Sequence, residues 1–105
     1  ISIFDKTKVF ELNDSKIISF EIDPSKIIKK KYKFEDIVGK DADYNSKIII
    51  DMLKGEENAL LEIVSINTAA GLIVLDKFKE LEEAYEFSRK HISSSSVRNY
   101  IEKLK

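Results

Sequence analysis

The sequence predicts an α+β fold in which a β-hairpin is followed by four or five packed helices. Two short runs rich in β-branched and aromatic residues, 7–12 (TKVFEL) and 17–22 (IISFEI), flank the turn residues Asn13-Asp14-Ser15-Lys16. Apolar residues then recur at helical spacing from Ile48 to Leu104. Between the halves of that pattern lies the most apolar stretch, 57–76 (ENALLEIVSINTAAGLIVLD), which the remaining elements must cover. At 105 residues and 43% hydrophobic content, residues 1–105 read as a single unit, either one small domain or a piece of a larger one.

In the hairpin, residues 7–22, Ile18, Phe20 and Ile22 alternate with Ser19 and Glu21, giving the second strand one dry and one wet face. Asp23-Pro24 closes the strand, because proline cannot donate to a ladder. The basic run 26–33 (KIIKKKYK) reads as a solvated connection rather than a phosphate or nucleic-acid patch, since the chain as a whole is near neutral. Residues 34–38 suit a short helical turn ended by Gly39. A helix over 41–54 begins at Asp41 as N-cap, with Asp43 in its first turn. It carries Ile48, Ile49, Met52 and Leu53 on one face and stops at Gly55.

The helix over 57–76 holds nine large apolar residues, too many for one face, and so is expected to be buried all round. The small residues Thr68-Ala69-Ala70-Gly71 offer another backbone a close approach. Asn67 beside them is expected to be a buried amide tied to a neighbouring loop. A further helix over 79–92 shows the stripe Leu81, Ala84, Tyr85, Ser88 and Ile92. The serines 93–96 interrupt it, and Ser96 is expected to cap a last helix over 96–104, with Val97, Tyr100, Ile101 and Leu104 on one side.

Eighteen Lys plus Arg against nineteen Asp plus Glu leave a net charge of −1, which gives no reason to expect nucleic acid or an anionic membrane as partner. The absence of cysteine excludes disulfides and thiolate metal sites. No secretion signal is visible, and Glu62 and Asn67 interrupt the one stretch long enough to span a bilayer. The chain starts at Ile1 without methionine and is expected to be a fragment.

Residue chemistry alone identifies no active site. Gly39, Gly55 and Gly71 are too far apart for a phosphate-cradling loop. His91 is the only histidine and has no metal-ligating partner at a recognisable spacing. Asp41 and Asp43 suit a helix start better than magnesium. Glu56-Glu57 and Glu82-Glu83 read as solvated helix-start acids, and the serines 93–96 lack an accompanying base.

Several stretches in order are nevertheless familiar. Thr7-Lys8-Val9-Phe10-Glu11-Leu12 and Phe20-Glu21-Ile22-Asp23-Pro24 resemble the Thr-Lys-Val-Tyr-Glu-Leu…Ile-x-Pro segment of anthranilate phosphoribosyltransferases. Asn45-Ser46-Lys47-Ile48-Ile49 with Leu53-Lys54-Gly55 is similar to that family's Asn-Ala…Ile…Leu-x-Gly helix. Ile63 to Leu72 resembles its Val-x-Leu-Asn-Ala-Ala…Leu helix, and Leu81-Glu82-Glu83-Ala84 with Tyr85-Glu86-Phe87-Ser88 its Leu-Glu-Glu-Gly…Ala helix. Asp76 and Ala84 stand where the family often has glycine, and Ser95 replaces the glycine of a Ser-Gly-Lys-Ala stretch.

The resemblance implies the C-terminal part of the α/β domain of an enzyme that joins anthranilate to phosphoribosyl pyrophosphate, with magnesium, in tryptophan biosynthesis. The family's Gly-Thr-Gly-Gly-Asp loop, Lys-His-Gly-Asn segment and magnesium-holding Asp-Glu pair are not among these 105 residues. Ile1 would follow directly after that pair. It further implies that this piece has no catalytic, cofactor-binding or metal-ligating residues of its own. Mg2+ and both substrates are then met only through upstream residues, and the piece alone is inactive. Its partner is the remainder of the parent chain, a cytoplasmic homodimer formed through an N-terminal domain. A part of a pyrimidine nucleoside phosphorylase and a free-standing, non-catalytic helical interaction module are the alternatives.

Overall fold

In the computed structural model, which describes residues 1–105, β1 (Thr7–Asn13) and β2 (Lys16–Ile22) pair as a two-stranded antiparallel hairpin. Its two-residue turn places Asp14 at φ 48° and Ser15 at φ 65°. Positive φ at both positions gives a type I′ turn, whose twist matches that of the strands. Val9 lies opposite Phe20 and Glu11 opposite Ile18, while Phe10 faces Ser19 and Leu12 faces Ile17. The expected dry face of β2 is not dry. Ile18 and Phe20 stay exposed on one face, Phe10, Leu12 and Ile17 on the other, and no helix packs broadly on either strand. Alternation fixes which side chains share a face; it does not supply a cover.

Two 3-10 turns lead to the helices. Pro24–Lys26 is capped by Asp23, whose Oδ1 accepts from the Ser25 amide at 3.0 Å. In Phe34–Ile37 the Asp36 carboxylate accepts from the Lys33 amide at 2.7 Å. Helix α1 (Ala42–Leu53) starts at Asp41, which accepts from the Tyr44 amide at 2.8 Å and so satisfies one of the donors left free at a helix start. Of its predicted inner face, Met52 and Leu53 are buried, Ile48 is half-buried and Ile49 is exposed. The helix ends where the Gly55 amide donates to the Met52 carbonyl and the Glu56 amide to the Asp51 carbonyl, each at 3.0 Å. This Schellman ending needs a left-handed residue, and Gly55 sits at φ 87°.

Helix α2 (Ala59–Val74) is shorter by two residues at each end than the apolar stretch suggests. Asn58 caps it, accepting from the Leu61 amide at 2.8 Å while its own amide donates to the Ile48 carbonyl at 3.3 Å. Its far end repeats the ending of α1, with the Asp76 amide on the Ile73 carbonyl at 3.0 Å and Lys77 on Leu72 at 2.9 Å. Here aspartate, at φ 57°, takes the left-handed position that glycine occupies at less cost. The expectation of a helix buried all round is corrected. Ala59, Leu61, Glu62, Ser65, Ile66 and Ala69 are buried, whereas Val74 is 79% exposed.

Helix α3 (Leu81–Ile92) begins two residues after the expected start, with Glu80 at its N-cap making no side-chain bond. Ala84, Tyr85, Ser88 and Ile92 of the predicted stripe are buried and Leu81 is half-buried. The close approach of α2 and α3 runs through Ala69 and Ala84, both fully buried. It involves one residue of the small-residue patch. Thr68 is exposed, and a side chain on Gly71 would meet open space.

The last helix, α4 (Ser95–Lys103), starts one residue early because Ser94, not Ser96, is its N-cap. The Ser94 hydroxyl donates backwards to the His91 carbonyl at 2.6 Å, so the serines finish α3 rather than cap α4. Val97 and Ile101 pack inward, and Tyr100 and Leu104 stay exposed. The core is two clusters. Ile28, Ile66, Ala69, Ala84 and Tyr85 form one, and Met52, Leu53, Leu61 and Ile92 the other. Glu62 lies on α2 between Leu61 of one cluster and Ile66 of the other.

Candidate functional site

Helical spacing dictates where Glu62 goes. On α2 it follows Leu61 and precedes Ser65, Ile66 and Ala69 by three, four and seven residues, so it shares their buried face. It is 3% exposed. A buried carboxylate needs partners, and α3 provides them one turn apart. The Tyr85 hydroxyl donates to Oε2, and the Arg89 Nε donates to Oε1 at 3.2 Å. Arg89 also reaches Oε1 of the largely exposed Glu57 at 3.2 Å, so its fork spans two carboxylates.

The electrostatics follow from this packing. Burial, together with the bond to Glu62 and its negative charge, pushes the Tyr85 hydroxyl far above the usual tyrosine range. Tyr32 is raised as well, first by burial and then by the charges of Glu62 and Glu57. Burial alone would lower Arg89, but the Glu62 carboxylate beside it outweighs that and holds it above its ordinary value. Beside this network opens a cleft of about 290 Å³ whose walls include Ile27, Lys29, Lys30 and Glu86. Of its charged lining residues, Glu57, Glu62 and Arg89 are committed to one another. Tyr85 is held protonated and so is not poised to exchange a proton, and the Glu62 carboxylate is paired with Arg89. The arrangement ties α2 to α3.

The pH dependence of stability has a definite sign. The unfolded chain releases the tyrosine protons above about pH 10, whereas folded Tyr85 keeps its proton. The native state then binds more protons, so stability is fully present below about pH 10. It is expected to fall above that by about 1.4 kcal/mol per pH unit for each retained proton. Urea titrations between pH 8 and 11 read this slope, and Tyr85→Phe should remove much of it.

The residues singled out from the sequence are scattered. His91 is exposed and stacks on Phe87, with centroids 6.2 Å apart and planes within 1°. Asp41 is engaged as the α1 cap. Ser93 donates to the Arg89 carbonyl at 2.9 Å, and no base accompanies the serines. Lys30 lies over the Tyr32 ring at 5.3 Å. No group of three or more His, Asp or Glu side chains is gathered where a metal ion would fit. No helix is long and apolar enough to cross a membrane.

Asn67 is exposed rather than buried, yet it is a tie. Its Nδ2 donates to the Ile1 carbonyl at 3.1 Å and the Ile63 carbonyl at 2.9 Å. The Glu62–Tyr85–Arg89 network escaped the sequence reading, which took Glu62 only as a break in an apolar span. The signal was present: an acid on the dry face of α2, and a tyrosine and arginine at i, i+4 along α3.

A second cleft, of about 220 Å³ and mostly apolar, lies where Ile37, Val38, Ile49, Leu60 and Ile63 meet. It carries no ionic network.

Comparison with known proteins gives these positions a context. Residues 1–97 match the family model described as "Glycosyl transferase family, a/b domain". The chain is 39% identical over 104 residues to an anthranilate phosphoribosyltransferase of Pelagibacter ubique, covering 99% of this chain and 32% of that protein. It is 41% identical over 106 residues to the protein of that name from Dictyoglomus turgidum, covering 100% of this chain and 32% of the relative. With that of Petrotoga mobilis the figures are 36% over 103 residues, 98% and 30%. The chain thus spans about a third of the length of the curated relatives it matches. No solved structure matches. A family match over residues 1–97, nearly all of the sequence, places the chain in the glycosyl transferase family, within its a/b domain.

Proposed function

We propose that this chain is the C-terminal part of an anthranilate phosphoribosyltransferase. That enzyme transfers the phosphoribosyl group of phosphoribosyl pyrophosphate to anthranilate in the cytoplasmic synthesis of tryptophan. The observation that carries this reading is the ordered similarity of 98–100% of the chain to relatives bearing that name. A free-standing interaction module accounts for none of that similarity.

The chemistry agrees. Transfer of a phosphoribosyl group develops positive charge on the sugar and negative charge on the departing pyrophosphate, which calls for fixed charges and backbone donors. Glu57, Glu62 and Arg89, the charged groups buried or half-buried between the two helices and at their edge, pair with one another. In this reading the metal and pyrophosphate are held by the preceding part of the parent, a homodimer, and residues 1–105 form a supporting wall. The clamp between α2 and α3 keeps that wall rigid.

The test is an assay of the longer protein. It is expected to consume anthranilate, read by loss of its fluorescence, only when phosphoribosyl pyrophosphate and Mg2+ are both present. The 105-residue chain alone should show no turnover and, by calorimetry, no Mg2+-dependent binding of phosphoribosyl pyrophosphate. An inactive longer protein, or tight binding by the short chain, overturns the proposal.

A further inference from the structure

The cleft beside the Glu62–Tyr85–Arg89 network is lined by charged groups that the network leaves free. Arg89 donates from Nε to Glu62 and from Nη2 to Glu57, while its Nη1 bonds to no protein group. A guanidinium carries five N–H donors, so three remain open, two of them on Nη1. Glu86 lies three residues before Arg89 on α3, on the adjoining surface of the helix, and it too lines the cleft. It forms no ion pair, and neither do Lys29 and Lys30, which the loop 26–33 brings to the cleft from another part of the chain. That loop is pinned. The Ile28 amide donates to the Pro24 carbonyl at 2.8 Å, Ile28 is buried, and Ile27 and Tyr32 pack on the cluster between α2 and α3. The two lysines therefore leave from a backbone that is anchored on either side of them.

We propose that this cleft binds a free acidic α-amino acid, of the L-glutamate type. The α-carboxylate takes the open donors of Arg89, whose planar fork suits a carboxylate better than a lysine does. The ammonium donates to Glu86, the neighbouring acid on α3. The side-chain carboxylate meets Lys29 and Lys30, and the methylenes lie against Ile27. Charge decides the ligand class. Three cations and three acids line the cleft, so a bare phosphate would meet repulsion from Glu57 and Glu86 as well as attraction. A ligand that carries two negative groups and one positive group uses every uncommitted side chain. A residue within a peptide lacks one of the two head-group charges, so the free amino acid is the better match. The cleft, at about 290 Å³, is of the size that takes a small metabolite. The inference stands on the cleft alone and does not depend on the proposed function.

The experiment is calorimetry on the longer protein at fixed ionic strength, with L-glutamate, glutarate, L-glutamine and inorganic phosphate as probes. L-Glutamate is expected to bind with a Kd of about 1 mM or tighter. Glutarate lacks the ammonium and L-glutamine lacks the side-chain charge, and each should bind about 10-fold more weakly. Glu86→Gln should reduce the affinity for L-glutamate to that for glutarate. Lys29→Ala combined with Lys30→Ala should reduce it to that for L-glutamine. All three residues are exposed and outside the core, so both variants are expected to melt with the parent. The inference is overturned by absence of saturable binding of L-glutamate up to about 10 mM. Equal affinity for glutarate, or unchanged affinity for L-glutamate in either variant, overturns it as well. Phosphate binding as tightly as L-glutamate would reveal a general anion site, and the amino-acid reading would then be wrong.

Discussion

Glu62→Ala is expected to lower the stability of the fold by about 2–4 kcal/mol, read from the midpoint of urea unfolding with an unchanged slope. The size comes from what is left behind. Tyr85 is 4% exposed, and its hydroxyl would lose its acceptor inside the protein. The Arg89 guanidinium would retain only Glu57, which is too exposed to replace a buried carboxylate. An unpaired buried hydroxyl costs about 1–3 kcal/mol. Arg89 remains partly open to water, which keeps its share below that of a wholly buried charge. Two further variants separate the parts. Glu62→Gln retains an acceptor for Tyr85 and removes the charge facing Arg89, so its loss should be intermediate. Combining Glu62→Ala with Arg89→Ala should give a loss well short of the sum of the two. Additive losses would show that the ion pair is not the tie between the helices.

Ile66→Ala is expected to cost about 3–4 kcal/mol by the same measurement. Ile66 is fully buried at the α2–α3 contact, with Ala69 one turn on and Ala84 and Tyr85 in the same cluster. Helices drawn together through alanines have few long side chains able to fill a cavity, so the site collapses poorly. A domain of this size is stable by about 5–15 kcal/mol, and losing a quarter or more of that lowers the melting temperature by many degrees. Ile66→Val, which removes one methyl group, should cost about 1 kcal/mol. If both variants melt like the parent, the contact between α2 and α3 is not the centre of the core.

Local chemistry was legible in the sequence wherever it acts over a few residues. The turn at Asp14-Ser15, the cap at Asp41, the stop at Gly55 and the stripe on α3 all follow from neighbouring side chains. What was hidden depends on the whole molecule. The exposed ends of α2 and the uncovered hairpin reflect which surfaces find a partner, and apolarity alone does not say this. No serine side chain caps α4, because the Ser94 hydroxyl at its N-cap position bonds backwards to α3 instead of forwards. Asn67 was placed in the interior because it sits in an apolar run, but its partner proved to be the Ile1 carbonyl, sixty-six positions away. The ion pair across α2 and α3 joins residues 23 and 27 apart, a distance at which no local pattern operates.

The hairpin has a practical consequence. Both of its outer edges are unpaired, and its two faces expose Phe10, Leu12, Ile17, Ile18 and Phe20. A strand with a free edge and an apolar surface can recruit strands from other molecules, and such recruitment is how soluble chains begin to aggregate. Lys8, Glu11, Lys16 and Glu21 interrupt the apolar positions and act as gatekeepers against it. A preparation of the 105-residue chain should therefore tolerate low concentration and moderate ionic strength. It should turn cloudy as salt screens those four charges.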